Sequence, residues 1–166
     1  MFVKRNANKV TVLIVYVDDI VVTGNNEEDV THLKMQLAKE FEIKDLGPLR
    51  YFLKTEIARS DKNIFISQRK YILDLLKETS MLGCKPADSL SEVNHYLCSS
   101  VGNSVEKERY QRLVGRLIYL SHTRPGIPYA VKIVSQFMHD SRATHLEVVY
   151  HILRYLKSDP RKGILF

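Results

Sequence analysis

The 166-residue sequence predicts an α+β fold, in which antiparallel hairpins and helices occupy separate stretches of the chain. Two short runs rich in β-branched residues flank the acidic pair Asp18-Asp19 and predict a buried β-hairpin, with strands at about 10–17 and 20–23. Alternating apolar and polar residues over 49–58, followed by an apolar run over 63–67, predict a second hairpin. Helical periodicity dominates the last third of the chain.

The first half of the chain contains two further helix signals, after an initial strand at 2–5. Asn25, with Glu28 three residues later, predicts the capped start of a helix that continues to about Phe41. Ser67 predicts the start of a second helix over about 68–79. The side chains expected to face inward are Val30, Leu33, Leu37 and Phe41 in the first helix, and Tyr71, Ile72, Leu75 and Leu76 in the second.

Residues 87–104 predict a linker, because Ser, Asn, Asp and Gly are frequent there and no periodicity persists. Three helices are predicted beyond it, over 105–121, from Pro128 to about His139, and over 143–157. Thr144 and Glu147 predict a capping box for the last helix. The expected inward stripes are Tyr110, Leu113, Val114, Leu117 and Ile118 in the first of these helices, and Leu146, Val149, Tyr150 and Leu153 in the last.

The net charge of +6 lies entirely within residues 106–166, which hold 11 basic and 5 acidic side chains. Such an asymmetry favours a phosphate-backbone partner, although a solvated basic helix face would give the same count. The longest apolar run, about eight residues, is too short to span a membrane. Because the N-terminus also lacks the apolar core of a signal peptide, we expect an intracellular location, cytoplasm or nucleus, and no membrane partner.

The acidic pair is the strongest chemical signal in the chain. Burying two neighbouring carboxylates is costly unless a cation or a network of donors neutralises them. A divalent cation with oxygen ligands, such as Mg²⁺ or Mn²⁺, would do so and would suit phosphoryl or nucleotidyl transfer. The alternative is an ordinary hairpin turn, because Asp is a common turn residue.

The string LIVYVDDIVVTG, from Leu13 to Gly24, resembles the second carboxylate motif of reverse transcriptases of the Ty1/copia class of retrotransposons. Further strings resemble the same family in the same order and cover the chain from about Phe2 to Phe166. They are KDLGPLRYFL from Lys44, ISQRKY from Ile66, GCKP from Gly83, YQRLVGRLIYL from Tyr110, TRP from Thr123 and ILRYLK from Ile152.

This resemblance implies a fragment of a Pol polyprotein with RNA-directed DNA polymerase chemistry, Mg²⁺ or Mn²⁺ as cofactor, and an RNA template with a DNA primer as partners. Residues 1–86 would form the C-terminal part of a polymerase palm, with the YVDD hairpin and a primer-grip-like hairpin. Residues 105–166 would be thumb-like or connection-like helices. Asp18 would ligate metal directly, with Asp19 in support and Tyr16 near the primer end. The residues implied to face nucleic-acid phosphates are Lys44, Arg116, Arg124 and Arg154.

Some features depart from the family's pattern. The family usually has Gly where Lys54 stands, Asp where Gly126 stands and no Pro at position 128. It also takes a third Asp from a strand upstream of the hairpin, whereas only 15 residues precede Tyr16 and none is acidic. We therefore expect the isolated chain to be inactive as a polymerase without an upstream segment, and we expect no ribonuclease H domain.

Two other functions are compatible with parts of the sequence. One is a non-catalytic nucleic-acid-binding module derived from a retroelement, which would reuse the basic helices. The other is a different metal-dependent phosphotransferase that also uses an acidic hairpin. The family strings after residue 44 argue against the latter.

Overall fold

The computed structural model describes residues 1–90 and 103–166, in which two antiparallel sheets and five helices form two compact units. The units are Met1–Leu49 and Arg50–Phe166. The predicted mixture of antiparallel hairpins and separate helices is confirmed. The predicted linker falls largely on residues 91–102, outside the described residues. The second hairpin and the C-terminal helices belong to the same compact unit, whereas the sequence grouped that hairpin with the first one.

The first unit contains a three-stranded sheet of order β1-β2-β3, formed by β1 (Phe2–Asn6), β2 (Lys9–Tyr16) and β3 (Asp19–Gly24). Adjacent strands are antiparallel, so the predicted hairpin around the acidic pair is confirmed. The prediction that this hairpin is buried is wrong, because Thr11 is the only buried residue of the unit. Val15 and Tyr16 expose about half of their surface, at 46% and 54%.

Helix α1 (Glu27–Glu40) follows β3, and it begins one residue later than the predicted cap. Asn26, rather than Asn25, occupies the N-cap position, and its side chain donates to Asp29 at 2.8 Å. The Asn25 side chain instead accepts from the Val10 N–H at 2.7 Å and donates to the Asn8 carbonyl at 2.6 Å. Asn25 therefore joins β3 to the start of β2, a non-local role that a capping pattern does not reveal.

The predicted apolar stripe of α1 is only partly buried. Val30, Leu33 and Leu37 are half-buried, while Phe41 lies at the C-cap and is 61% exposed. The helix ends where the backbone of Phe41 becomes extended, so the ring leaves the helical face that the sequence assigned to it.

The second unit contains a four-stranded antiparallel sheet of order β4-β5-β6-β7. Its strands are β4 (Tyr51–Phe52), β5 (Thr55–Arg59), β6 (Ile64–Ser67) and β7 (Gly163–Leu165). The prediction of one continuous strand over 49–58 is wrong, because the chain reverses at Leu53-Lys54 and forms two short antiparallel strands. The sequence did not predict β7, which pairs with β6 from the other end of the chain.

Four helices complete the second unit: α2 (Arg69–Glu78), α3 (Lys107–Ser121), α4 (Pro128–Ser135) and α5 (Ala143–Ser158). The predicted inward residues of α2 are buried, and Pro128 occupies the first turn of α4 as predicted. In α3 the core contains Leu120 instead of the predicted Ile118, which is 39% exposed. All four helices contribute buried side chains to one hydrophobic core.

One predicted helix boundary and one predicted helix cap are wrong. Helix α4 ends at Ser135, four residues before the expected His139. The predicted Thr144–Glu147 capping box is replaced at the start of α5, where the Arg142 N–H donates to His145 Nδ1 at 3.2 Å. Of the predicted inward stripe of α5, Val149 and Leu153 are buried, while Leu146 and Tyr150 are half-buried. The buried face also includes Val148, Ile152 and Leu156.

Within residues 1–90 and 103–166, the helices are all too short or too polar to cross a lipid bilayer.

Candidate functional site at the acidic hairpin

A two-residue turn, Val17-Asp18, joins β2 to β3, and the last paired residues before it are Tyr16 and Asp19. Val17 adopts a left-handed backbone conformation with φ of +51°. A β-branched residue rarely adopts this conformation, and the cost is roughly 1–2 kcal/mol. Strain of this kind persists where the surrounding structure requires it, and it is concentrated at functional sites. The turn therefore places two carboxylates that are neighbours in the sequence at the hairpin tip.

Asp18 and Asp19 are both exposed. Across residues 1–90 and 103–166, neither carboxylate has an ion pair or a side-chain hydrogen bond. Two unpaired, adjacent negative charges repel one another and attract a cation. Because their ligand atoms are carboxylate oxygens, a hard divalent cation suits them best.

The number of carboxylates limits what the tip can hold. Magnesium is commonly bound by one or two carboxylates, with waters and substrate phosphates completing its coordination. The Asp18-Asp19 pair fits that requirement for one cation. A centre with two cations needs further ligands. No group of three or more His, Cys, Asp or Glu side chains suited to a metal is found in the part of the chain that the structure describes.

Tyr16 and Lys44 belong to the same compact unit as the acidic pair. Tyr16 is the last residue of β2, and 54% of its surface is exposed. Lys44 is exposed in the segment after α1, where its neighbour Asp45 accepts hydrogen bonds from the Gly47 N–H and Lys34 Nζ. These bonds lower the pKa of the Asp45 carboxyl below its usual value, the Gly47 N–H having the larger effect. The predicted nucleic-acid roles of Tyr16 and Lys44 stay predictions.

Arg116 forms an ion pair within the protein. Its guanidinium donates to the carboxylate of Glu78, which also lies 3.9 Å from Arg112. The hydrogen bond from Arg116 is the main reason that the pKa of Glu78 lies below its usual value. This contact joins α2 to α3, a pairing that the sequence did not predict.

Arg124 is buried, with 4% of its surface exposed. Its guanidinium donates to the Asp159 carbonyl at 2.8 Å and to the Pro160 carbonyl at 2.6 Å. Burial lowers the pKa of the guanidinium. Arg124 thus holds the two residues that directly follow α5. Its predicted contact with nucleic-acid phosphates is not tested by this geometry.

Arg154 is half-buried on α5, and its backbone carbonyl accepts from the Ala87 N–H. Its Nε is buried, and no group among residues 1–90 and 103–166 accepts a hydrogen bond from it. The structure therefore gives the three predicted arginines different surroundings, although all belong to the second compact unit. A nucleic-acid role for Arg154 also stays a prediction.

A second strained turn lies at the tip of the β4–β5 hairpin. Leu53 and Lys54 both have positive φ, at +48° and +60°, which two-residue hairpin turns commonly achieve with Asn-Gly. The Tyr119 hydroxyl donates to the Leu53 carbonyl, and Lys54 Nζ lies 5.2 Å from the centre of the Tyr71 ring. Lys54 therefore stands where the backbone favours glycine, the residue that the resembling family usually has there.

Comparison with known proteins identifies the family of the chain. Residues 1–90, which include the acidic hairpin, match the reverse transcriptase (RNA-dependent DNA polymerase) family. The chain therefore belongs to the reverse transcriptase family, in its copia-type retrotransposon branch.

Three relatives give the extent of the similarity. The Retrovirus-related Pol polyprotein from transposon RE1 of Arabidopsis thaliana is 39% identical over 165 residues, 99% of this chain and 11% of that polyprotein. The corresponding polyprotein from transposon TNT 1-94 of Nicotiana tabacum is 34% identical, with 94% and 12% covered. An uncharacterised mitochondrial protein of Arabidopsis thaliana is 37% identical, with 92% and 63% covered.

The chain thus spans about a ninth of the length of these polyproteins. No solved structure matches it significantly.

Proposed function

We propose that this chain carries the catalytic hairpin of an RNA-directed DNA polymerase, in which Asp18 binds a divalent cation directly and Asp19 supports it. The cation would be Mg²⁺ or Mn²⁺, and the substrates would be deoxynucleotides, an RNA template and a DNA primer. The observation that carries this proposal is the exposed, unpaired acidic doublet at a strained hairpin turn, within a segment that matches the reverse transcriptase family.

The proposed chemistry divides between the cation and the protein. When bound, the cation would lower the pKa of the primer hydroxyl and neutralise charge on the phosphates. The protein presents two carboxylates at one end of a three-stranded sheet, beside the left-handed backbone of Val17. Tyr16, exposed beside the pair, would contact the primer end, and Lys44 would contact phosphates.

The first unit would correspond to part of a palm, and the C-terminal helices to a thumb or connection. We further propose that the isolated chain does not polymerise DNA. Two carboxylates suffice for one cation, whereas nucleotidyl transfer by this class requires two cations and therefore further ligands. An upstream polymerase segment would supply the missing carboxylate and the nucleotide site.

Primer extension tests both proposals. The purified chain is incubated with an RNA template, a DNA primer, deoxynucleotides and Mg²⁺ or Mn²⁺, with and without an upstream polymerase segment from a copia-type relative. We expect no template-dependent product from the chain alone and extension from the mixture. Product from the chain alone would contradict the proposed inactivity.

Matched variants identify the carboxylates that matter in the complemented mixture. Asp18→Asn should lower the extension rate at least about 100-fold, because it removes a direct metal ligand. Asp61→Asn, in the turn between β5 and β6, makes the same chemical change far along the chain and should leave the rate unchanged. Equal effects of the two substitutions would remove Asp18 from the proposed site.

A second candidate function is a non-catalytic nucleic-acid-binding module. The specific observation in its favour is the excess of basic over acidic side chains, 11 against 5, within residues 106–166. This candidate predicts salt-dependent binding to an RNA–DNA hybrid together with no extension in any mixture. Extension that depends on Asp18 would exclude it.

A further inference from the structure

A cavity of about 280 Å³ lies on one face of the four-stranded sheet in the second unit. Its lining includes Glu56, Phe65, Ser67, Arg69 and Arg161. Glu56 is paired with Ser67 in the strand register, and the neighbouring pairs join Ala58, Phe65 and Leu165. Directly opposed residues project from the same face of a sheet, so these side chains define the face that bears the cavity.

Two arginines from distant parts of the sequence border this cavity. Arg69 is the first residue of α2, and Arg161 lies between α5 and β7. Both are exposed, and neither guanidinium has an ion pair or a hydrogen bond among residues 1–90 and 103–166. Each is followed by an exposed lysine, Lys70 or Lys162.

The carboxylate in the cavity, Glu56, already has partners. It accepts a hydrogen bond from the Lys70 N–H at 3.2 Å and one from the Ser67 hydroxyl at 3.4 Å. Glu56 therefore satisfies one of the backbone donors that the first turn of α2 leaves free. It forms no ion pair with Arg69 or Arg161, so both guanidinium groups are available to a ligand.

We propose that Arg69 and Arg161 bind the phosphodiester backbone of a nucleic-acid strand that crosses this face of the sheet. The inference rests on the proposed function and names a contact surface for its substrate. A guanidinium presents a planar fork of donors that matches two phosphate oxygens, and successive phosphates along a strand can meet separate arginines. Tyr51, exposed at 48% on the same face, adds an aromatic ring 5.8 Å from Lys70 Nζ.

A nucleic acid fits this surface better than an acidic peptide does. Single strands bind to proteins through a basic surface that follows the backbone and aromatic rings that stack on bases. The face combines both features, since Arg69 and Arg161 line the cavity together with the partly exposed Phe65, and Lys70 lies near the Tyr51 ring. An acidic peptide would use the charges but would have no need of the aromatic rings.

Salt-dependent binding tests the proposal. Fluorescence anisotropy of the whole chain is measured with labelled single-stranded DNA, single-stranded RNA and an RNA–DNA hybrid over a range of salt concentrations. Each lost phosphate contact lowers the slope of log K against log salt by about 0.7 for single strands and about 0.9 for a duplex. Arg69→Ala with Arg161→Ala should therefore reduce the slope by about 1.4 or about 1.8.

A matched control removes the same charge elsewhere on the sheet. Arg59 is paired with Ile64, one residue out of phase with the cavity face, and Lys62 lies in the adjoining turn. Arg59→Ala with Lys62→Ala should leave the slope almost unchanged.

Arg69→Lys with Arg161→Lys should retain the slope but weaken binding, because lysine keeps the charge and lacks the planar fork of donors. Glu56→Gln should tighten binding, because it removes a negative charge from the cavity.

The possible outcomes separate this inference from the proposed function. If the cavity variant and the control variant change the slope equally, the surface assignment is wrong while nucleic-acid binding stands. If the unaltered chain binds none of the three nucleic acids, the inference and the nucleic-acid part of the proposed function both fail. If polyglutamate binds at the arginines and nucleic acid does not, the ligand class is wrong. Circular dichroism of each variant establishes that the fold is retained.

Discussion

At the scale of single residues, three hairpin turns place non-glycine residues in left-handed backbone conformations, at Ala7, at Val17 and at Leu53-Lys54. At Val17 the strain adjoins the carboxylates of the candidate metal site. At Leu53-Lys54 it lies in a turn that Tyr119 and Tyr71 hold through their side chains. The turn at Leu53-Lys54 therefore differs from the turn at Val17, because side chains of helices α2 and α3 contact it.

Lys54→Gly should stabilise the second unit, because glycine adopts φ of +60° without steric cost. Lys54→Ala is the matched comparison, since both substitutions remove the ammonium group over the Tyr71 ring. We expect the glycine variant to exceed the alanine variant in unfolding free energy by about 1 kcal/mol. Chemical denaturation measures this difference, and equal stabilities would show that the turn is not strained at Lys54.

The sequence allows some of these residue roles to be predicted, and the physical reason is locality. The acidic pair lies between two β-branched runs, so its place at a hairpin turn follows from neighbouring residues alone. The partners of Arg116 and Arg124 could not be predicted, because Glu78 and Asp159 are separated from them by more than thirty positions in the sequence.

At the scale of secondary-structure elements, the start of α5 depends on a buried imidazole. His145 is 3% exposed, its Nδ1 accepts from the Arg142 N–H, and its ring stacks on Phe137 with centroids 3.8 Å apart. Burial lowers the pKa of His145 below its usual 6.5, and Arg142 acts in the same direction, whereas Asp140 opposes them. A protonated ring could not accept the hydrogen bond that caps the helix.

The pH dependence of stability follows from the direction of that shift. In the unfolded chain His145 takes up a proton as the pH falls below about 6.5, whereas the folded chain resists protonation until the pH reaches its lowered pKa. The unfolded state therefore binds more protons within this window, and stability should fall as the pH falls through it. Urea denaturation at about pH 7.5 and about pH 5.5 measures the effect.

His145→Gln supplies the control, because glutamine can accept the capping hydrogen bond and does not titrate. We expect a smaller loss of stability on acidification in this variant than in the unaltered chain. An identical loss in both proteins would assign the pH dependence to other groups.

Periodicity predicted the four helices of the second unit well, because each of them buries a stripe of its own residues, whereas the stripe of α1 is only half-buried. Periodicity did not reveal β7, because this strand has only three residues and its partner strand, β6, lies far away in the sequence. The caps of α1 and α5 were also predicted wrongly. The Asn25 side chain forms its hydrogen bonds with Val10 and Asn8 instead of capping α1. At the start of α5, His145 accepts the hydrogen bond in place of the predicted Thr144–Glu147 pair.

At the scale of the whole molecule, the two compact units differ in how they bury apolar surface. The second unit has one core formed by four helices, whereas the first unit has no buried apolar side chain. A unit of this size with so little burial gains little hydrophobic stabilisation. Sequence patterns predicted the strands of the first unit but not their exposure, because an apolar run alone does not show whether anything covers a sheet.

The central claim is that the Asp18-Asp19 turn can hold a divalent cation but cannot alone assemble a two-cation centre. Titration calorimetry of the purified chain with Mg²⁺ tests this most directly, with Asp18→Asn as the control. We predict weak binding of at most one ion, abolished by the substitution. Tight, cooperative binding of two magnesium ions by the unaltered chain, without any added subunit, would contradict the claim.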